Sequence, residues 1–178
     1  NDDFSGIFPS AWNKITDLVI QEGVTRIDEW AFEGCAFRNV ILPSTLERID
    51  EGAFGSCSSI TNIVIPASVK EIGHYAFEAC VGLPAFVVDE KNEYYKSVNG
   101  VLFSKDGKTL LYCPAGSGFA TYEIPSEVEE VWDGAFAYCS NLSAITVASG
   151  NDHFKSNGGV LFSADGTRLV QYPAGKIG

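Results

Sequence analysis

Apolar positions recur along this chain in a fixed order. Each cycle opens with apolar-x-x-apolar-x-apolar, as in Ile60, Ile63 and Ile65. The last two alternate, which predicts a short strand with one buried face. Pro43, Pro66 and Pro125 come next and end the strand, because proline donates nothing to a ladder. Then follows an apolar pair three residues apart: Leu46 and Ile49, Val69 and Ile72, Val128 and Val131. That spacing predicts an inward-facing turn of 3₁₀ or α-helix. Each cycle closes on Ala-Phe, at Ala31-Phe32, Ala53-Phe54, Ala76-Phe77 and Ala135-Phe136. Asp28 and Asp50 precede two of these steps, where N-caps would stand.

Aligned on this pattern, residues 15–36, 37–59, 60–82 and 119–141 superimpose with lengths of 22, 23, 23 and 23. Two further units, 83–118 and 142–178, begin with the same strand and then diverge from it while resembling each other at an offset of 59. In both, GVLFS and a second apolar run flank an Asp-Gly turn, Asp106-Gly107 and Asp165-Gly166. Asp-Gly between such runs is a strong hairpin signal. Each hairpin is expected to project from the body with its inner face resting on it.

One such unit cannot bury its own apolar edge, whereas units stacked at strand spacing bury it continuously. The expected fold is therefore an α/β repeat: a solenoid of stacked short parallel strands and short helical turns, with two inserted β-hairpins. Residues 15–178 form the solenoid. Residues 1–14, with Phe4, Phe8 and Trp12, are expected to cap its first coil. Phe32, Phe54, Phe77 and Phe136 should share one inner column.

The repeated P-x-x-[VL]-x-x-I-x-x-x-A-F-x-x-C, with N-G-V-L-F-S-x-D-G in the longer unit, resembles the BspA-type (Treponema pallidum-type) leucine-rich repeat family over residues 15–178. Gln21 stands where the first unit should have Pro, and Val131 replaces the second Ile. The resemblance implies a right-handed solenoid with a concave sheet. It further implies a bacterial cell-surface or secreted protein, often lipid-anchored through a removed N-terminal segment. Adhesion to host matrix proteins or to other bacteria is the associated role. The family motif is structural and transfers no catalytic residue.

Composition narrows the partners. The formal net charge is −11, with only 12 Lys and Arg, scattered along the chain. A phosphate-binding surface needs clustered cations, so neither nucleic acid nor an anionic membrane surface is an expected partner. No apolar run reaches the roughly 18 residues of a membrane helix, so no direct membrane insertion is expected. The chain opens at Asn1 and contains no Met, which reads as a processed or excised piece.

Candidate chemistry is sparse. Cys35, Cys57, Cys80 and Cys139 share one repeat position, while Cys113 reads as a lone hairpin residue. Neighbouring coils bring such thiols within disulfide range, but side-by-side inward packing reads as a ladder of small buried hydrophobes with inert thiols. No C-x-x-C occurs to suggest zinc. His74 reads as a surface residue, and neither it nor His153 completes a nucleophile–His–acid pattern. The acidic run Glu123, Glu127, Glu129, Glu130 and Asp133 reads as a solvated face rather than a Ca²⁺ loop. No cofactor is called for.

The functional candidates are the strand residues that face away from the core. They form two columns, Asp17, Asn39, Asn62, Ala85, Thr121 and Ala144 beside Val19, Ile41, Val64, Val87, Glu123 and Thr146. Exposed apolar stripes mark contact surfaces; β-propensity alone also places β-branched residues there. The expected role is non-catalytic recognition of a host matrix protein, another cell-surface protein or a glycan. The alternative is a rigid spacer within a longer surface protein.

Overall fold

The computed structural model describes residues 16–177, so the expected cap at 1–14 lies outside the described residues. The first three coils each contribute two strands: β1 (Asp17–Val19) and β2 (Arg26–Ile27), β3 (Asn39–Ile41) and β4 (Arg48–Ile49), β5 (Asn62–Ile65) and β6 (Glu71–Ile72). The first long unit carries β7 (Val87–Val88), β8 (Tyr95–Val98), β9 (Val101–Ser104) and β10 (Thr109–Tyr112). The next coil holds β11 (Thr121–Ile124) and β12 (Glu130–Val131). The second long unit holds β13 (Ala144–Val147), β14 (Phe154–Asn157), β15 (Val160–Ser163) and β16 (Leu169–Gln171).

The coils stack in parallel. In one sheet, ordered β1-β3-β5-β7, Asp17 pairs with Asn39, Asn39 with Asn62, and Val64 with Val87. A second sheet, β2-β4-β6, lines up Ile27, Ile49 and Ile72. Here the expected helical turns are corrected: the described residues contain strands and turns but no helix. Leu46 and Val69 close reverse turns onto Pro43 and Pro66, and the apolar residue three further on enters a two-residue strand. The reason is energetic. A stretch this short gains little from its own helical bonds, since helix nucleation is costly, whereas the preceding coil offers carbonyls to the amides that follow, Thr25 O to Glu47 and Arg48 and Glu47 O to Lys70 and Glu71.

Asp28 and Asp50 are not helix N-caps. Asp50 is buried, and its carboxylate accepts from the Nε groups of both Arg26 and Arg48. Burial alone would raise its pKa, but hydrogen bonds and charge from the two guanidiniums outweigh burial and hold it below the ordinary 3.8. Two stacked arginines thus share one buried carboxylate. Asp28 pairs with Arg26 at 3.1 Å.

Phe32, Phe54 and Phe77 stack with centroids 5.4 and 5.6 Å apart and rings 16° and 3° from parallel. Phe136 does not continue this column. Tyr112 and Phe86 close its end by packing edge-on to Phe77, and Phe136 belongs to a second core, 5.5 Å from Tyr122.

The first hairpin explains the interruption, and it does not project. β8, β9 and β10 form an antiparallel meander built into the body, and β10 pairs in parallel with β12. Asn99 and Gly100, at φ 52° and 82°, make the tight turn between β8 and β9. Successive residues of β9 face opposite ways. Leu102 belongs to the first core, while Val101 and Phe103 belong to the second. The hairpin is a wall between two cores.

The same hairpin ends the first sheet. Gly100 O accepts from Phe86 N–H at 2.8 Å, and Ser97 Oγ donates to Phe86 O at 2.7 Å. Consequently β7 and β11 are not paired, and β11-β13 forms a separate sheet. In the second long unit Gly159 O accepts from Ile145 N–H, and Ser156 Oγ donates to Ile145 O.

Each long unit is anchored by one asparagine. Asn92, fully buried, donates to Pro66 O and Val69 O and accepts from Tyr94 and Tyr95 N–H, all at 2.8–2.9 Å. Asn151 repeats all four bonds with Pro125, Val128, His153 and Phe154.

Candidate functional site

The outward face of β1-β3-β5-β7 is set by strand alternation. Leu18, Val40 and Ile63 turn inward and lock the strands to the first core, so Val19, Ile41, Val64 and Val87 must face outward. They remain 53%, 59%, 44% and 47% exposed. Val19 lies beside Ile41 and Val64 beside Val87 in the ladder. Four β-branched side chains therefore form one uncovered apolar row.

A polar row flanks it. Asn39 Nδ2 donates to Asp17 Oδ1 at 2.6 Å, and Thr16 Oγ1 donates to Oδ2 at 2.9 Å. Those two bonds hold the Asp17 carboxyl below its ordinary range. Asn62 is exposed beside Asn39, and Ala85 is half-buried. Beyond the apolar row, Ile41, Val64, Ser44, Glu22 and Asp89 line a shallow open depression. There Glu22 accepts from Ser44 N–H and Oγ, both at 3.0 Å, and these bonds depress its pKa. The face is thus an apolar strip with carboxylate and amide borders. An apolar partner could desolvate such a strip, with the polar groups setting its orientation.

Thr121, Glu123 and Thr146 are exposed on the separate β11-β13 sheet, where Glu123 lies beside Thr146 and Thr121 beside half-buried Ala144. Sequence spacing placed all twelve residues in two unbroken columns. The structure divides them between two sheets, because the hairpin occupies the edge of β7.

The remaining candidates are structural. All five cysteines are free and buried. Cys57 Sγ donates to Phe32 O at 2.9 Å and Cys80 Sγ to Phe54 O at 3.2 Å, so each thiol bonds the preceding coil. Desolvation pushes Cys57 up and Cys80 to about 12, which keeps them as thiols. The reading of Cys113 is corrected. It lies in the second core beside Cys139, whose Sγ points to Cys113 O at 3.8 Å, because β10 brings the end of the hairpin into the stack. His74 is exposed, and its ring stacks on Trp132 at 4.2 Å. In the acidic run Glu129 pairs with Lys108 at 2.7 Å, and Glu130 accepts from Thr109 Oγ1 at 3.3 Å. Among the described residues no three His, Cys, Asp or Glu side chains gather as a metal site. No helix there is long and apolar enough to cross a membrane.

The BspA type leucine rich repeat region matches in six copies, over residues 6–105 and 111–163. The chain belongs to the BspA-type leucine-rich repeat family. No curated protein matches it. Among solved structures, the pneumococcal vaccine antigen PcpA is 29% identical, with a TM-score of 0.72 over 77% of this chain and 35% of its own. A leucine-rich cell surface protein from Faecalibacterium prausnitzii is 30% identical, with a TM-score of 0.66 over 74% of this chain and 35% of its own. A leucine-rich repeat protein from Eubacterium ventriosum is 26% identical, with a TM-score of 0.66 over 77% and 42%. The chain thus spans between a third and a half of the length of these similar structures. The solved structures similar to this BspA-type chain are bacterial, and one of them is a cell surface protein.

Proposed function

We propose that the chain is a non-catalytic recognition module, displayed at a bacterial surface or secreted, that binds its partner across the outward face of β1-β3-β5-β7. The observation that carries this reading is the uncovered row Val19, Ile41, Val64 and Val87. Isolated exposed valines are ordinary, but a contiguous row bordered by polar groups is a contact surface. The partner is a host matrix protein, another cell-surface protein or a glycan, met without a cofactor and without membrane insertion. One of the similar structures is a leucine-rich cell surface protein, which supports the location.

The test is a binding screen of the intact chain on immobilised matrix proteins and glycan arrays, repeated with Ile41→Lys plus Val64→Lys. Both side chains are exposed, so the double variant keeps its fold. Loss of a wild-type signal in the variant supports this face; an equal signal from both proteins removes it.

A second reading, a rigid spacer inside a longer surface protein, is favoured by one observation. The similar solved chains are two to three times as long as the segment they share with this one.

A further inference from the structure

We propose that Cys113 and Cys139 close a disulfide that staples the first hairpin to the coil 119–141. The repeat shows why these two meet. In the first three coils the thiol of one coil reaches the carbonyl of the phenylalanine in the coil before. Cys57 Sγ donates to Phe32 O and Cys80 Sγ to Phe54 O. The step from the hairpin to the next coil keeps this contact, Cys139 Sγ with Cys113 O, but Cys113 takes the place of the phenylalanine.

The backbone carries the same equivalence. Phe32 N–H donates to Ala53 O, Phe54 N–H to Ala76 O and Cys113 N–H to Ala135 O, in each case the alanine of an Ala-Phe step. Cys113 thus stands in the inner stack where a benzyl group stands elsewhere, and one thiol faces another. Cys57 and Cys80 approach their carbonyls to 2.9 and 3.2 Å. Cys139 Sγ stays 3.8 and 3.9 Å from Cys113 O and Pro114 O, and it accepts from the Cys113 thiol. That bond lowers the pKa of Cys139 below its ordinary 9.0, although burial opposes it. At the offset of 59 the second long unit has Tyr172 instead of Cys113. The extra thiol therefore belongs to the first hairpin, where β10 meets β12.

The oxidant is itself a disulfide, either glutathione disulfide or an oxidised protein dithiol. The Cys139 thiolate attacks one of its sulfurs, forms a mixed disulfide and releases one thiolate. The Cys113 thiol then loses its proton and attacks the Cys139 sulfur, which forms the Cys113–Cys139 bond and releases the second thiolate. Two thiols are oxidised, one disulfide is reduced, and the two protons end on the released thiols. Cys113 is 5% exposed and Cys139 is 3%, so the exchange takes place before the coil 119–141 closes on β10. The closed stack then shields the bond from reductants. Persistence of the bond in the organism rests on the proposed surface or secreted location, where disulfides last; the pairing itself does not.

Refolding the reduced 178-residue chain in a glutathione redox buffer, and separately in dithiothreitol, tests the pairing. Each product is denatured, alkylated with iodoacetamide and mapped by mass spectrometry without reduction. After glutathione, the expected result is alkylated Cys35, Cys57 and Cys80 and a cross-linked peptide that joins Cys113 to Cys139. After dithiothreitol all five cysteines should be alkylated. Cys113→Ser should form no cross-link. Reduction should lower the wild-type melting temperature by about 10 °C and leave that of Cys113→Ser unmoved. Five alkylated cysteines after glutathione overturn the proposal. So does glutathione left on Cys139, a bond between other positions such as Cys35 and Cys57, or a cross-link that survives Cys113→Ser.

Discussion

The two long units, 83–118 and 142–177, have the same design and different surroundings. Both open with a strand of an outward sheet, β7 in the first and β13 in the second. Both place an asparagine under the preceding coil, at Asn92 and Asn151. Both turn a glycine carbonyl onto that sheet's edge, at Gly100 and Gly159. The difference is what lies outside the last strand. β10 is covered by the coil 119–141, and β16 by no strand among the described residues. Buried Leu110, Phe103 and Cys113 become exposed or half-exposed Leu169, Phe162 and Tyr172. In this molecule the sequence of a long unit specifies the hairpin, while its neighbour decides which face of the hairpin is core.

Substitutions at aligned positions can break that comparison. Phe54, stacked between Phe32 and Phe77 and fully buried, is the reference for a position enclosed on both sides. Phe54→Ala should lower stability by about 3–5 kcal/mol in denaturant unfolding. Leu110→Ala should lower it by about 2–5 kcal/mol, because its cavity lies between the hairpin and the next coil. The aligned Leu169→Ala should stay within about 0.5 kcal/mol of wild type when the chain is dilute. Equal losses at 110 and 169 would mean that β16 is covered.

Asn92→Ala should cost about 2–3 kcal/mol, since it strands two carbonyls and two amides in a dry site. Asn151→Ala should cost less, because Asn151 is only half-buried. Thermal melts of the two variants side by side check the order.

The smallest effect concerns pH. Asp50 has a folded pKa below 3.8. Its contribution is complete above the unfolded value and is lost as pH falls through the folded one. Stability of wild type should therefore drop below about pH 4, and Asp50→Asn should flatten that part of the stability–pH curve. A wild-type curve that is flat there would contradict the buried arginine–aspartate bridge.

The coil itself was legible from sequence because its signal is local. Proline after a strand, Ala-Phe at the turn and a constant interval fix which side chains point inward, and Phe32, Phe54 and Phe77 fall where the interval puts them. The helical turn was misread because three-residue spacing fits a turn-then-strand as well as a helix, and only the adjacent coil decides. The hairpin's place was misread although two signals were present. Val101-Leu102-Phe103 is an unbroken apolar run, which suits a strand buried on both faces. Asn99-Gly100, a second turn signal, marks a meander rather than a lone hairpin. Asn92 was only half legible: its bonds to the amides of Tyr94 and Tyr95 are local, but the two carbonyls that it holds, Pro66 O and Val69 O, lie in another coil. The outward rows were legible from alternation, but their division between two sheets depends on Gly100 reaching Phe86.

Amide hydrogen exchange, read residue by residue by NMR on the dilute chain, tests most directly whether the first hairpin is a wall inside the stack. Glu129, Glu130 and Trp132 N–H bond to β10 and its preceding turn, so slow exchange is expected there, together with slow exchange at Phe86. Fast exchange at those amides, as rapid as in the turns around Gly118 and Gly150, would show a hairpin standing away from the solenoid and would contradict the partition of the molecule into two cores.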